Sequence, residues 1–431
     1  MENLSVNALV DSYQNHLPRE ICTNVAKDIF EQFSDKETLL KEYKLAIDNL
    51  LISEQLKVIN CTGTLLHTNL GRAQTNVTFE GHASNIEFDL GKQTRGKRSS
   101  YLSYSMNLLL GSEAVCFVNN NASSLFLTLH SLKKTQQVDA VIISRGEIVE
   151  IGGSYRLPEI IAETGLKLIE VGTTNKTHKK DYSTALKGNP HAVVLKVHRS
   201  NFSISGFVEE VSTKELKIIA KEYGALVIHD IGSGLVVDKK FLEKNKISFF
   251  SNEQHVQDSL LDGADLVMFS GDKLFGSLQA GIIAGNEELV TNIKESPLFR
   301  TYRCSPIVNY ELQKTTGLYL SKKEGSIPLW HFLTLSYEEL LNRIKKISGV
   351  LDIKHTVEES YSLIGGGSMP DVKIPSPVIA IHTSIDNNLI SKLASLDIPI
   401  IPRIKDEKII FDLRSSFEID DELIANALKN L

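Results

Sequence analysis

Short apolar runs recur through the middle of the chain, and each ends abruptly in small polar residues. Ala114–Val118 runs into Asn119-Asn120-Asn121, Val141–Ile143 into Ser144-Arg145-Gly146-Glu147, and Lys167–Val171 into Gly172-Thr173-Thr174-Asn175. Val193–Val197 is followed by His198-Arg199-Ser200-Asn201. Runs of this length without a 3.6-residue period are buried strands, and the stretches between them have helical spacing. Strand–helix alternation of this kind gives a parallel sheet, with ligands bound just past the strand C-terminal ends. The polar clusters are therefore the places to look for chemistry.

Two strand ends carry the strongest signal. Leu266–Phe269 ends in Ser270-Gly271-Asp272-Lys273, with Gly276 and Gly281 close behind. A lysine buried there loses solvation, which lowers its pKa and makes the amine nucleophilic, as a Schiff-base lysine requires. Alone, it could equally be a surface lysine in a turn. The second strand end, Ala225–Ile228 followed by His229-Asp230, shifts the balance. A buried carboxylate keeps a pyridine nitrogen protonated, so Asp230 and Lys273 in this order point to pyridoxal 5'-phosphate (PLP). The Asn triplet adds a phosphate site, because free amides at a helix N-terminus and the helix dipole favour an anion. Gly232-Ser233-Gly234 lacks the G-x-G-x-x-G spacing of a dinucleotide site.

Composition narrows the classes further. With 431 residues, 42% apolar and 23% charged, the chain can bury a large core in two or three domains. No apolar run is long enough to span a membrane, and Met1-Glu2-Asn3-Leu4 does not start a signal peptide, so a cytoplasmic location is expected. Cys22, Cys61, Cys116 and Cys304 show no C-x-x-C spacing, which suits free thiols rather than disulfides or a metal site. A net charge of -6 gives no general attraction to nucleic acid.

The flanking regions read as follows. Residues 1–58 are helical, with Val25, Ile29 and Phe33 on one face, Pro18 as a break, and Ser34-Asp35-Lys36-Glu37 as a capping box. They carry six basic against ten acidic residues. The loop Val58–Arg72 concentrates His67, Asn69 and Arg72, and Gly91–Arg98 packs four cations into eight residues, either a solvated turn or an anion clamp. His198 reads as a satisfied strand-end histidine rather than a catalyst. A helix around Ser336–Val350 leads to a smaller C-terminal part with a turn at Gly365-Gly366-Gly367-Ser368. It also holds a strand at Val378–Ile381 and paired strands at Ile398–Arg403 and Lys408–Leu413. Arg403 is a candidate substrate contact; Arg414 reads as a surface arginine.

Taken in order, these motifs resemble the bacterial selenocysteine synthases, the L-seryl-tRNA(Sec) selenium transferases. The similarity covers nearly the whole chain through LLHTNLGRA at 65–73, VNNNA at 118–122, SRGEIVEIGGSYRLPEI at 144–160 and VGTTNKTH at 171–178. SGDKLFGSLQAG at 270–281, GGGSMP at 365–370 and PRI at 402–404 continue it. The resemblance implies an α/β, aspartate-aminotransferase-like (fold type I) PLP enzyme. Its parts would be a helical, tRNA-binding domain over 1–58, a large PLP-binding domain with a mostly parallel sheet over 59–320, and a small α+β domain over 321–431. Lys273 would be the Schiff-base lysine and Asp272 a residue needed for chemistry. Asp230 would be the pyridine partner, with Asn120, Asn121 and Ser270 near the cofactor phosphate. Arg72, Arg95, Arg98, Arg300 and Arg303 would gather the phosphate of the selenium donor, partly across a subunit interface. The implied reaction converts L-seryl-tRNA(Sec) to L-selenocysteinyl-tRNA(Sec) through a cofactor-bound aminoacrylate, with selenophosphate as donor, in a homo-oligomer built as a ring of dimers.

Three positions depart from the family pattern: Cys61 replaces alanine, Leu278 replaces proline, and Pro402 stands where glycine is common. Two other readings remain. One is a PLP-dependent β-eliminase or lyase acting on a small amino acid or amino sugar without tRNA, against which the full-length N-terminal region argues. The other is an inactive tRNA-binding or oligomer-forming relic, against which Lys273, Asp272 and Asp230 together argue.

Overall fold

The computed structural model describes residues 4–51, 57–75, 85–151, 155–202, 204, 206–366, 368–383 and 388–429. By its contacts the chain divides into two units, Met1–Val58 with Ser395–Pro399, and Ile59–Ala394 with Ile400–Leu431.

The first unit is three helices, α1 (Val6–Asp11), α2 (Arg19–Gln32) and α3 (Lys36–Leu51). Their helical spacing collects Leu9, Cys22, Ala26, Leu39, Tyr43 and Ile47 into one buried core. Pro18 sits at the N-cap of α2, as its missing N–H allows. The cap of α3 differs from the expected Ser34–Glu37 box. Asp35 does the capping, accepting from the Thr38 amide at 2.8 Å and the Thr38 hydroxyl at 2.7 Å. A carboxylate one residue closer to the helix outcompetes the serine.

The second unit begins with β1 (Ile59–Cys61), followed by a small hairpin of β2 (Phe88–Asp89) and β3 (Thr94–Arg95). Helix α4 (Ser100–Leu110), β4 (Ala114–Val118) and α5 (Asn121–Thr135) follow, then β5 (Ala140–Ser144) and a second hairpin of β6 (Glu150–Ile151) and β7 (Tyr155–Arg156). Next come β8 (Lys167–Val171), β9 (Ala192–Val197), β10 (Val227–Gly232), β11 (Leu266–Ser270) and β12 (Gly281–Gly285). The large sheet has the order β4-β12-β11-β10-β9-β5-β8, parallel except for β12, which runs against both neighbours. Its inner strands are buried on both faces, which is why they read as unbroken apolar runs rather than alternating ones. Leu125, Leu127, Leu129 and Leu132 of α5 cover one face against Val118, Ile143, Leu195 and Met268. Phe269, Phe275, Phe250 and Trp330 fill the other. Each such side chain contributes roughly 1.5–3 kcal/mol by leaving water.

Four more strands follow in the C-terminal part: β13 (Thr356–Gly365), β14 (Ser368–His382), β15 (Ile400–Lys405) and β16 (Lys408–Phe411). With β1 they form a second sheet, β1-β15-β16-β14-β13, in which β1 pairs parallel to β15. The turn expected at Gly365–Ser368 joins β13 to β14; its Gly367 lies outside the described residues, as do Gly152 and Gly153 of the 144–160 block. The helix before this sheet, Tyr337–Ser348, opens with a reciprocal Ser336–Glu339 capping box.

At the centre of the second sheet the carboxylate of Asp412 is fully buried. It accepts from Ser362 (2.9 Å), Ser376 (2.8 Å) and Arg403 (3.1 Å). Gly63, at φ +73°, passes so close that a Cβ there would collide with Asp412 and Arg403. Arg414 is not a surface residue. It is buried, donating to the carbonyls of Phe332, Leu335 and Pro375, so it braces the fold. Cys61 and Pro402, two of the departures from the family pattern, face each other in register.

Candidate functional site

The C-terminal ends of β4, β9, β10 and β11 surround a cavity of about 220 Å³ lined by Asn120, Asn121, His198, Asp230, Asp272 and Lys273, among others. The lysine loop is fixed mainly by backbone hydrogen bonds. Gly271 N donates to Ala280 O and Ser277 N to Gly271 O, both at 2.8 Å, while Leu274 N reaches Ser233 O at 2.8 Å. Tyr319 donates to Phe275 O at 2.9 Å and accepts from the buried Trp330 at 2.6 Å, so the loop is braced from the core below. Gly281 lets β12 pass against the Asn120 carbonyl, where a Cβ would collide.

Lys273 is 5% exposed, and its amine has no hydrogen-bond partner among the described residues. Burial lowers its pKa; Asp230, Asp272 and Glu253 oppose that shift, and Arg72 adds to it. The amine is thus held closer to its neutral, nucleophilic form. Asp230 shows the opposite response. Burial raises its pKa to about 6, while the hydrogen bond from Asn121 Nδ2 (2.8 Å) and the charge of Lys273 partly restrain it. Among the described residues no cation stands within ion-pair distance of this carboxylate. Asp272 accepts from Arg72 Nη1 at 2.6 Å, yet its Oδ1 and Arg72 Nε are buried without partners. Arg72 is held at φ +63°, a left-handed conformation that a non-glycine residue adopts only when the surroundings impose it.

Asn120 is the N-cap of α5, its side chain accepting from Ser123 N at 2.8 Å. The start of that helix and Ser270 together offer a phosphate a set of donors at the positive end of a dipole. Asn121 points instead to Asp230, and its Oδ1 is an orphan. Orphaned buried polar atoms around one cavity call for a polar ligand. An amine, an isolated carboxylate and a helix N-terminus suit the aldehyde, pyridine nitrogen and phosphate of PLP.

The arginines named from sequence divide into separate places. Arg72 is in the cavity. Arg95, Arg98 and Arg303 converge on Glu87, at 3.4, 2.8 and 3.7 Å. Asn119 N donates to Tyr302 O at 2.8 Å, which sets the Arg300–Arg303 segment beside the turn that opens α5. Arg300 is exposed, with no ion-pair partner among the described residues. Arg403 does not line the cavity; it is engaged by Asp412, Thr62 O and Ser360.

Sequence reasoning missed Val149, Ser200 and Gln279 as cavity residues, and it read His198 as structural although the residue lines the wall. The polar cluster after β9 was the available signal. The GGGSMP block also reaches the rim, where Met369 N donates to Ser200 O at 2.8 Å.

A mostly parallel sheet with a desolvated strand-end lysine and a buried partner aspartate defines a fold-type I PLP-dependent enzyme. A solved D-glucosaminate-6-phosphate ammonia-lyase has the same fold, with a TM-score of 0.60 at 16% identity over 89% of this chain and 97% of that one. The family model described as L-seryl-tRNA selenium transferase matches residues 58–417. The L-seryl-tRNA(Sec) selenium transferase of Clostridium perfringens is 39% identical, over 96% of this chain and 92% of its own. That of Aquifex aeolicus is 36% identical, again over 96% and 92%. The chain belongs to the L-seryl-tRNA selenium transferase family and is a PLP-dependent selenium transferase.

Proposed function

We propose that Lys273, Asp272 and Asp230 carry out the conversion of L-seryl-tRNA(Sec) to L-selenocysteinyl-tRNA(Sec), with selenophosphate as donor. The observation that carries this reading is the convergence of an unpartnered buried lysine, an isolated carboxylate and a helix N-terminus on one cavity. PLP, when bound, supplies an electron sink for charge developing at the carbon beside the serine amine. Lys273 Nζ takes and later returns the Cα proton, a task suited to an amine whose pKa burial has lowered. Asp230, oriented by Asn121, would hold the proton of the ring nitrogen. Asn120 and Ser270 hold the cofactor phosphate. Asp272 keeps Arg72 aimed into the cavity, and Arg72 holds the donor's phosphate.

Arg95, Arg98, Arg300 and Arg303 complete the donor site beside the phosphate-binding turn, with a second subunit contributing to it in a ring of dimers. Arg403 serves the site indirectly, by fixing the Thr62–Gly63 turn. The three-helix unit binds the tRNA. Its cations Lys36, Lys41 and Lys44 lie exposed along α3, available to phosphates despite the acidic total. No helix among the described residues is long and apolar enough to cross a membrane, and the four cysteines are free and buried. Both support work in the cytoplasm.

The deciding experiment incubates the protein with PLP, selenophosphate and tRNA(Sec) charged with labelled serine, and identifies the released amino acid by mass spectrometry. Selenocysteine is the expected product. Unchanged serine from visibly yellow protein would replace this reading with a lyase acting on a small molecule.

A further inference from the structure

One ionisable side chain in the cavity has no role in the scheme above. His198 lies just beyond β9, where its amide donates to Asp230 O at 2.9 Å, and the residue lines the cavity together with Asp230, Asp272 and Lys273. Its Nε2 stands 3.1 Å from Glu253 Oε1. Both atoms are buried, and neither makes a hydrogen bond among the described residues, so the approach is one of ion-pair distance only. Nδ1 also has no partner among the described residues. A buried carboxylate beside one ring nitrogen leaves the other nitrogen free to exchange protons.

The remaining groups are committed: Lys273 to the cofactor and the Cα proton, Asp230 to the ring nitrogen, Asp272 to Arg72. Hydroxide is a poor leaving group, so loss of the serine hydroxyl needs a proton delivered to that oxygen. We infer that the Glu253–His198 pair is the acid that delivers it, an inference that rests on the seryl-tRNA reading above. As Lys273 Nζ takes the Cα proton, the Cα–H electron pair becomes a Cα=Cβ bond. The Cβ–O pair leaves with the oxygen, which takes the Nδ1 proton and departs as water. When selenium adds to Cβ, its Se–H proton returns to the imidazole and Lys273 returns its proton to Cα. Hydrolysis of the P–Se bond then releases phosphate and leaves the selenol. The charged groups around the ring are Asp230, Asp272, Lys273, Arg72 and Glu253, and Lys196 and His229 lie behind it, in the wall of the adjoining pocket that His198 also lines.

The test compares two substrates on the full-length, PLP-loaded protein: tRNA(Sec) charged with serine, and the same tRNA charged with β-chloroalanine, whose chloride leaves without a proton. His198→Gln is expected to slow the seryl substrate by about 10²–10⁴-fold, the usual contribution of a general acid, while the chloro substrate changes by less than about threefold. Glu253→Gln, which keeps the ring, should slow only the seryl substrate, by about tenfold. A substrate-free readout is the pH titration of the yellow absorbance. His198→Gln should move its pKa upward, because the Glu253 carboxylate is left without its neighbour, and Glu253→Gln should move it downward, because that carboxylate's charge is removed. Equal slowing of both substrates, or none, overturns the inference while the substrate reading stands. If His198→Gln loses its cofactor, the same comparison on Glu253→Gln decides. Wild-type protein that turns over neither tRNA overturns the substrate reading, and this inference with it.

Discussion

The cofactor cavity and the arginine cluster at Glu87 both present charge to anions, but they are built in opposite ways. In the cavity most functional groups hang from the end of a buried strand or helix, Arg72 on its loop excepted, and several polar atoms lack partners. At Glu87 the cations stand on a short hairpin and on the segment around Arg303, and a carboxylate already occupies them. Low dielectric makes each charge in the first place count; water and salt dilute those in the second. A site that binds one cofactor permanently can be dry and rigid. One that admits and releases a small anion each turnover benefits from being open and pre-neutralised.

Mutations should reproduce that contrast. Lys273→Ala should abolish the yellow absorbance and reduce turnover by at least about 10⁴-fold; a variant that still carries covalent cofactor would refute the assignment. Asp230→Ala should weaken PLP binding by about 100-fold, since removing one member of a buried charge pair costs about 2–5 kcal/mol, and equilibrium dialysis would measure it. In the cofactor-free protein the raised Asp230 pKa works against folding. The folded value of about 6 exceeds the usual 3.8, so its stabilising effect is full below pH 3.8 and is lost as pH rises through 6. That loss is on the order of 3 kcal/mol by pH 7. Urea titrations of Asp230→Asn should show a flatter stability profile between pH 4 and 7.

Smaller effects belong to the open site. Arg300→Ala should raise KM for selenophosphate about tenfold, with kcat and absorbance unchanged, as removal of one charge-assisted contact predicts; an unaltered KM would remove it from the donor site. Glu87→Gln should lower that KM by a factor of about two to five, the range of an exposed ion pair. Arg95→Ala, at a side chain 86% exposed, should change it by less than about twofold.

The same contrast explains what could be read in advance. Lys273, Asp230, Asn120 and Asn121 were legible because each ends a run whose apolar character announces a strand, and strand ends in such sheets are where ligands bind. Glu87 and Glu253 were not, because a single carboxylate in a loop carries no pattern; only the folded chain shows what it meets. Arg414 misled for a similar reason. Arginine is rarely buried without paired charge, and the three carbonyls that receive it come from distant segments. In the second sheet β15, β16 and the end of β14 were read as strands, β13 was not, and β1 is too short to be recognised except by its partner.

That partner has a consequence for synthesis on the ribosome. Ile59 pairs with Ile400, and Gly63 rests on the Asp412 carboxylate. At roughly 5–20 residues per second, the first strand of the catalytic unit waits about 20–70 s for its neighbour to emerge. Through that interval the loop carrying Arg72 lacks its anchor on one side, and it gains that anchor only when translation is almost over.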